Sequence, residues 1–300
     1  MFKHLLIPLD GSSLAETVLP AAEYLAGKFD AWVTLVHVIE QNAPSEVHGE
    51  KHLTNAEEAE KYLAKVAADA FQPDVRVERH VHTSEVKDVA KSIARHVEEF
   101  ATDLTILCAH GKSGLRDMLF GSIAQQVISF GSTPALIFRP VDDNSVADFS
   151  CGKILVALDG NQGHEEGLKV AVGLAQKCDI PIHLVMVVPT LGTISGSWTA
   201  TSRITPGSTS RMLEIAVVEA ADYLERQKTE LVAKGIAVSA DILRGDPATN
   251  ITDAAREAEA SVIILGTHGK IGMDAFWSGS ITPKVFKRCR IPLLLVPVRE

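Results

Sequence analysis

Two aspartates and two sets of glycines carry the chemistry this sequence offers. Asp10-Gly11 and Asp159-Gly160 each end a short apolar run. A carboxylate there can partner a metal ion beside a phosphate, or it can simply cap the turn that follows. Gly266, Gly269, Gly279 and Ser280 follow the apolar run SVIIL with the spacing G-x2-G-x9-G-S. Glycine permits positive φ and lets a ligand approach bare backbone. Gly279-Ser280 is expected to open a helix, where free N–H groups and the dipole favour an anion. Ser280 reads as its N-cap, with a hydroxyl to offer a phosphate. The plainer reading is that Ser280 only caps the helix and the glycines only turn the chain.

The first half nearly repeats this stretch at Gly111, Gly121 and Ser122, but Cys108 stands where Gly266 stands, and Leu119-Phe120 replace Trp277-Ser278. If that position needs positive φ, a side chain there costs about 1–2 kcal/mol, or roughly tenfold or more in affinity. If it needs only bare backbone, a Cβ narrows the path of a phosphate. Two unequal sites are expected, the second tighter.

Other motifs fall away. Gly111-Lys112-Ser113 resembles the tail of G-x-x-x-x-G-K-[ST], but Ile106 occupies the opening glycine's place and the second copy reads Gly269-Lys270-Ile271. G-x-G-x-x-G fails because the glycines follow the fourth strand rather than the first. His80-x-His82 would share one face of a strand, as a metal pair can, and HGEKH (48–52) is not H-E-x-x-H; solvated or satisfied histidines explain both. His110 and His268 sit inside the glycine stretches, where they orient the loop rather than react. No metal ligand set is assigned. Cys108, Cys151, Cys178 and Cys289 share no C-x-x-C spacing, so neither a metal ribbon nor a redox pair is suggested, and four separate thiols fit a reducing cytosol.

The elements that must position these residues come as a duplication. Residues 4–40 align with 153–189 without a gap, and each half closes with a similar apolar strand, TPALIFRP and IPLLLVPV. Two domains are expected, 1–141 and 152–300, joined by the polar VDDNSVADFSCG. In the second copy the pattern gives a strand at 153–159, a helix at 163–178, a strand at 180–188 and a Gly/Ser/Thr loop at 190–210. That loop reads as a lid over the site or as a merely mobile segment. A helix at 212–235, a strand at 236–245, a helix at 247–260 and a strand at 261–266 follow. Pro20 should kink the first helix of copy one or delay its start. Strand-helix alternation implies a parallel sheet with right-handed crossovers and helices on both faces. Ligands then bind outside the carboxyl ends of the strands, where strand order reverses.

Composition narrows the function. The net charge is −9, with 13 Lys+Arg against 22 Asp+Glu in residues 1–150 and 16 of each in 151–300. An acidic chain lacks the basic face that nucleic acid requires. No apolar run approaches the roughly 18 residues of a membrane span, and the N-terminus reaches Asp10 too soon for a signal peptide.

Both halves resemble universal stress protein domains, and the whole chain is similar to the tandem branch of that family. The resemblance rests on G-x2-G-x9-G-[ST] at Gly266, Gly269, Gly279 and Ser280, and on Asp10 and Asp159 after strand one. It implies two Rossmann-like α/β domains, each a five-stranded parallel sheet of order 3-2-1-4-5. It implies an ATP site (or one for AMP or cyclic AMP), with or without Mg2+. Adenine would lie against backbone at Val38 and Val187, and phosphates in the glycine stretch. It also implies a cytoplasmic stress-response sensor or regulator forming an internal pseudo-dimer, with homodimerisation plausible and a protein partner still unnamed. The alternatives are a slow ATP hydrolase and an interaction protein with vestigial sites.

Overall fold

The computed structural model describes residues 1–109, 122–140, 149–194, 204–268 and 280–298. It divides into two compact units, residues 1–150 with 292–297, and residues 151–291 with 298–300.

The first unit runs β1 (His4–Pro8), α1 (Ser13–Glu16), α2 (Leu19–Phe29) and β2 (Trp32–Glu40). A hairpin of β3 (Glu46–Val47) and β4 (Glu50–Lys51) follows, then α3 (Ala56–Ala70), β5 (Val77–Val86), α4 (Val89–Glu99), β6 (Leu104–Cys108), α5 (Ser122–Phe130) and β7 (Ala135–Phe138). The sheet order is β5-β2-β1-β6-β7 with every neighbour parallel. Setting the hairpin aside, this is the expected 3-2-1-4-5. Parallel strands covered on both faces need apolar side chains in succession. Leu5, Leu6 and Ile7 accordingly stand at 0% exposure. Pro20 acts as expected: the first helix stops at Glu16 and restarts at Leu19 with proline in its first turn, where a missing N–H costs nothing.

The second unit runs β8 (Lys153–Leu158), a 3-10 turn at Gln162–His164, α6 (Glu166–Cys178) and β9 (Ile182–Val188). It continues with α7 (Pro206–Ala233), β10 (Val238–Arg244), α8 (Pro247–Glu257), β11 (Ala260–His268) and α9 (Thr282–Arg288). Its own strands lie in the order β10-β9-β8-β11, again all parallel. The chain's last strand, β12 (Leu293–Val298), belongs to the first unit over residues 292–297 and lies antiparallel beside β7, Leu294 opposite Leu136.

Local chemistry sets the boundaries. Asn55, Asp88 and Asp246 cap α3, α4 and α8, each side-chain oxygen accepting the N–H three residues on. Asp30 and Asp179 end α2 and α6 in the left-handed region at φ 53° and 56°, so the duplication extends to its caps. The long helix begins at Pro206, earlier than its apolar periodicity suggests, because proline suits the first helical position.

One expectation is overturned. Cys151 and Cys178 are not separate thiols: 27 residues apart in sequence and 6.1 Å apart at Cα, they are joined as a disulfide. The chain carries one from just before β8 and the other to the end of α6, a juxtaposition that sequence spacing does not reveal. Cys108 and Cys289 are buried and lie outside that disulfide.

Candidate functional site

Each unit holds a cavity at the carboxyl ends of its central strands, about 860 Å³ in the first and about 760 Å³ in the second. Asp159, Val187, Gly266 and Ser280 all line the second cavity. Asp10, Val38 and Cys108 line the first. Gly269, Gly279, Gly111 and Gly121 lie outside the described residues, as does His110. Ser122 opens α5.

The aspartates do cap their turns. Asp10 Oδ1 accepts from the backbone N–H of Ser12 at 3.0 Å and from its hydroxyl at 2.6 Å. Asp159 Oδ1 accepts from the backbone N–H of Asn161 at 2.9 Å. Gly11 and Gly160 turn the chain at φ +92° and +81°, a region open to glycine at little cost. In each copy the second carboxylate oxygen turns to a histidine. His48 Nε2, from the hairpin, lies 3.7 Å from Asp10 Oδ2. His164 Nδ1–H donates to Asp159 Oδ2 at 2.6 Å. With that hydrogen on Nδ1, Nε2 accepts from the Asn161 amide at 3.2 Å. Both ring nitrogens of His164 are therefore engaged.

Gly266 does not turn the chain. It lies within β11 and is not at positive φ, so the conformational reason for a glycine fails there. The reason is space. A Cβ at Gly266 would stand 3.3 Å from Val298 Cγ2 and 3.4 Å from the His164 carbonyl oxygen. The bare residue lets the turn that carries Asp159 and His164 close against β11. In the first unit Ala15 stands in His164's place, and Cys108 fits into β6 at 8% exposure. The expected cost of a side chain at this position is thus not a cost of backbone strain. Burial pushes the Cys108 thiol up to about 11, against the opposing hydrogen bond of Thr17.

Ser280 is placed one residue before the helix cap it was expected to be. The cap position is Ile281 and α9 starts at Thr282, yet the Ser280 hydroxyl accepts the N–H of Thr282 at 3.2 Å. Pro283 occupies the first turn, which moves the start of the helix beyond the Gly-Ser pair.

Residues that sequence spacing did not single out complete the second cavity. α7 contributes Glu219, Tyr223 and Arg226. The Arg226 guanidinium lies 5.9 Å from the Tyr223 ring centre. Tyr223 is 4% exposed; its hydroxyl donates to Glu165 at 2.8 Å, and Gln227 donates to the same oxygen at 3.0 Å. Burial, and then that carboxylate, hold the Tyr223 phenol above its ordinary range. These bonds fix α7 to the start of α6, so Arg226 is presented from an anchored helix. The four-residue step from Glu219 to Tyr223, with Arg226 three further on, marks one helical face, but nothing in sequence says which face meets the cavity.

The first cavity is lined differently. The ring nitrogens of His37, 2% exposed, lie 2.8 Å (Nδ1) from the Leu9 carbonyl oxygen and 3.1 Å (Nε2) from the Leu53 carbonyl oxygen; a neutral imidazole has one N–H and donates to one of the two. It thereby sits between the end of β1 and the chain after the hairpin and holds one of them by a hydrogen bond. Leu53 presses so closely on Gly11 that a Cβ there would lie 2.8 Å from it. Met186 stands in the place of His37 in the second copy and makes no such tie; its methyl rests near Gly160 instead. The charged lining differs as well. Asp10, Glu40, Glu46 and Asp88 face the first cavity with Lys87, whereas Asp159 and Glu219 face the second with Arg226.

Among the described residues no helix is long and apolar enough to cross a membrane. A universal stress protein of Mycolicibacterium smegmatis is 23% identical over 307 residues, covering 98% of this chain and 97% of its own. A universal stress protein structure from Archaeoglobus fulgidus matches with a TM-score of 0.67 at 19% identity, covering 99% of this chain and 98% of that one. Another from the same organism, solved in complex with dAMP, has a TM-score of 0.35 at 19% identity and covers 49% of this chain and 97% of that one. The model of the universal stress protein family matches residues 1–139 and, again, 151–297. With two matches that between them span nearly all of its length, the chain belongs to the universal stress protein family as a tandem pair of its domains.

Proposed function

We propose that the second cavity binds an adenine nucleotide, ATP or one of its monophosphate relatives, and that the protein acts as a sensor or regulator of stress physiology. The observation that carries the reading is convergence: Asp159, the backbone near the end of β9 at Val187, Gly266, Ser280 and Arg226 line one cavity of about 760 Å³. That volume lies within the roughly 300–1,000 Å³ of small-molecule sites. Arg226 supplies a planar, permanently charged fork suited to phosphate oxygens. Val187, only half-buried, offers backbone against which a flat base can lie. If Mg2+ accompanies the phosphates, Asp159 is its partner, through the oxygen now held by His164.

Sensing rather than turnover fits the local chemistry. A general base needs a lone pair within reach of the attacking water. In His164, the imidazole beside Asp159, that lone pair is taken by Asn161. Ligand contacts spread over α7, β11 and the start of α9 instead favour one arrangement of these elements, and a protein partner reads the surface they present. Such a shift requires different nucleotide affinities in the two arrangements.

The test is direct. Acid extraction of the purified full chain should release about one adenine nucleotide per chain. ATP, AMP, cyclic AMP and dAMP, added to stripped protein, should rank by the rise in melting temperature. No nucleotide in the extract and no thermal shift at millimolar ligand would overturn the reading in favour of vestigial sites. Steady release of ADP over many turnovers would replace the sensor with a hydrolase.

A further inference from the structure

β5 is the edge strand of the first unit's own parallel sheet and carries His80 and His82. Residues two apart on a strand project to the same side. On that side lies His96 of α4, 2% exposed. Its ring centre is 4.7 Å from that of His80 and 5.0 Å from that of His82. One nitrogen from each of the three rings lies within 4.8 Å of the other two.

The polar atoms of this cluster are incompletely matched as they stand. His80 Nε2 is buried and has no hydrogen-bond partner among the described residues, a situation rare enough in folded proteins to need a cause. His96 Nδ1–H donates to Glu99 Oε2 at 3.0 Å. That bond fixes the tautomer and directs the lone pair of Nε2 to His82, whose Nδ1 is 3.1 Å away. A carboxylate behind an imidazole, orienting it and raising its basicity, is the arrangement that supports metal-ligating histidines. Zinc–nitrogen bonds of 2.0–2.1 Å in a tetrahedral site separate neighbouring nitrogens by roughly 3.4 Å. The separation of 3.1 Å between His82 and His96 therefore needs only a few tenths of an ångström of adjustment.

We propose that His80, His82 and His96 form a three-imidazole site for a zinc-type divalent cation, with Glu99 positioning His96. Imidazole nitrogen selects zinc and its late first-row neighbours over magnesium and calcium, which prefer oxygen. The cation gives His80 Nε2 the partner it lacks and clamps α4 to the edge strand. The site shares no residue with either cavity, so it stands or falls independently of the nucleotide reading. The competing account is a purely aromatic cluster in which His96 stacks on Phe100 at 5.1 Å and 7°.

Chelator-stripped full-length protein titrated with Co2+ decides between them. The expected result is one Co2+ per chain with the visible ligand-field bands of a tetrahedral site, displaced by one equivalent of Zn2+ and unaffected by excess Mg2+. His82→Ala, at a half-buried strand position, should abolish the bands while leaving the far-ultraviolet circular dichroism of the metal-free protein unchanged; His82→Asn serves should the alanine variant fail to fold. Glu99→Ala should weaken binding about 10–100-fold. Absence of a saturable band, or a band that survives loss of the His82 imidazole, would overturn the site.

Discussion

The two cavities descend from one sequence pattern and occupy the same place in their units, yet they are finished by opposite means. The first is lined by histidines: His37 lies between the Leu9 and Leu53 carbonyls, and His48 of the hairpin lies 3.7 Å from Asp10. The second is walled by α7, anchored through Tyr223, Gln227 and Glu165, and presents Arg226. Four carboxylates against one lysine line the first, and two against one arginine the second. At low dielectric such a difference in local charge outweighs net charge, which salt screens over about 10 Å. Duplication thus preserved the turn that carries the aspartate and left what covers it free to diverge.

The strongest way to break this comparison is to exchange the residues at the shared strand position. Gly266→Cys places side-chain atoms against Val298 and the His164 carbonyl. Overpacking of this kind costs about 1–3 kcal/mol, and displacing the Asp159 turn should remove nucleotide binding from the second unit altogether. Calorimetric titration beside thermal unfolding measures both; unchanged affinity would mean that the closeness of this turn to β11 is irrelevant to the site. The reciprocal Cys108→Gly should leave the first unit folded without giving it nucleotide affinity, since the acidic lining of Asp10, Glu40, Glu46 and Asp88 remains.

Arg226→Ala should come next, lowering ATP affinity about tenfold, as loss of one charge-assisted contact of roughly 1.5 kcal/mol implies. AMP should suffer less if the guanidinium meets the outer phosphates, and the wild-type advantage should shrink as salt rises. Equal loss for ATP and AMP at every ionic strength would move Arg226 away from the phosphate end.

Giving the first unit the second unit's residue, His37→Met, removes the N–H donor from between the Leu9 and Leu53 carbonyls and should cost about 1–3 kcal/mol. Limited proteolysis between residues 41 and 55 should then accelerate; an unchanged cleavage rate would show that the hairpin is held by other contacts. The smallest effect concerns Cys108. Its raised thiol keeps the proton at neutral pH, so alkylation of the native chain at pH 8 should be far slower than for an ordinary thiol near 8.5. The stability that this thiol contributes is full below the unfolded value and is lost as pH rises towards about 11. Rapid native labelling at pH 8 would contradict its burial.

Much of the architecture was legible in sequence because its signals are local. A parallel strand covered on both faces must be apolar throughout, so Leu5–Ile7 and Ile154–Val156 announce themselves. The two Asp-Gly turns repeat at a fixed offset, and Pro20 states where a helix can restart. The part of the site that follows from such local rules, Asp159 after the first strand and Gly266 near the end of the fourth, was legible with it. Arg226 and Tyr223 were not, because α7 is amphipathic along most of its 28 residues and periodicity does not name the face that meets a cavity. The pairing of Cys151 with Cys178 and the meeting of His96 with His80 and His82 were hidden for a related reason: each joins segments whose separation in sequence carries no motif.

By itself, then, the sequence determined the duplicated α/β plan, the polarity of each strand and the aspartate turn at its end. Those depend on the order of apolar and turn-forming residues along a few consecutive positions. Only the tertiary structure decided why Gly266 must be bare, which helix supplies the cation and which cavity has the more acidic lining. Those depend on ångström-scale approaches between segments far apart in the chain, such as that of His164 to Gly266, and no local preference encodes such distances.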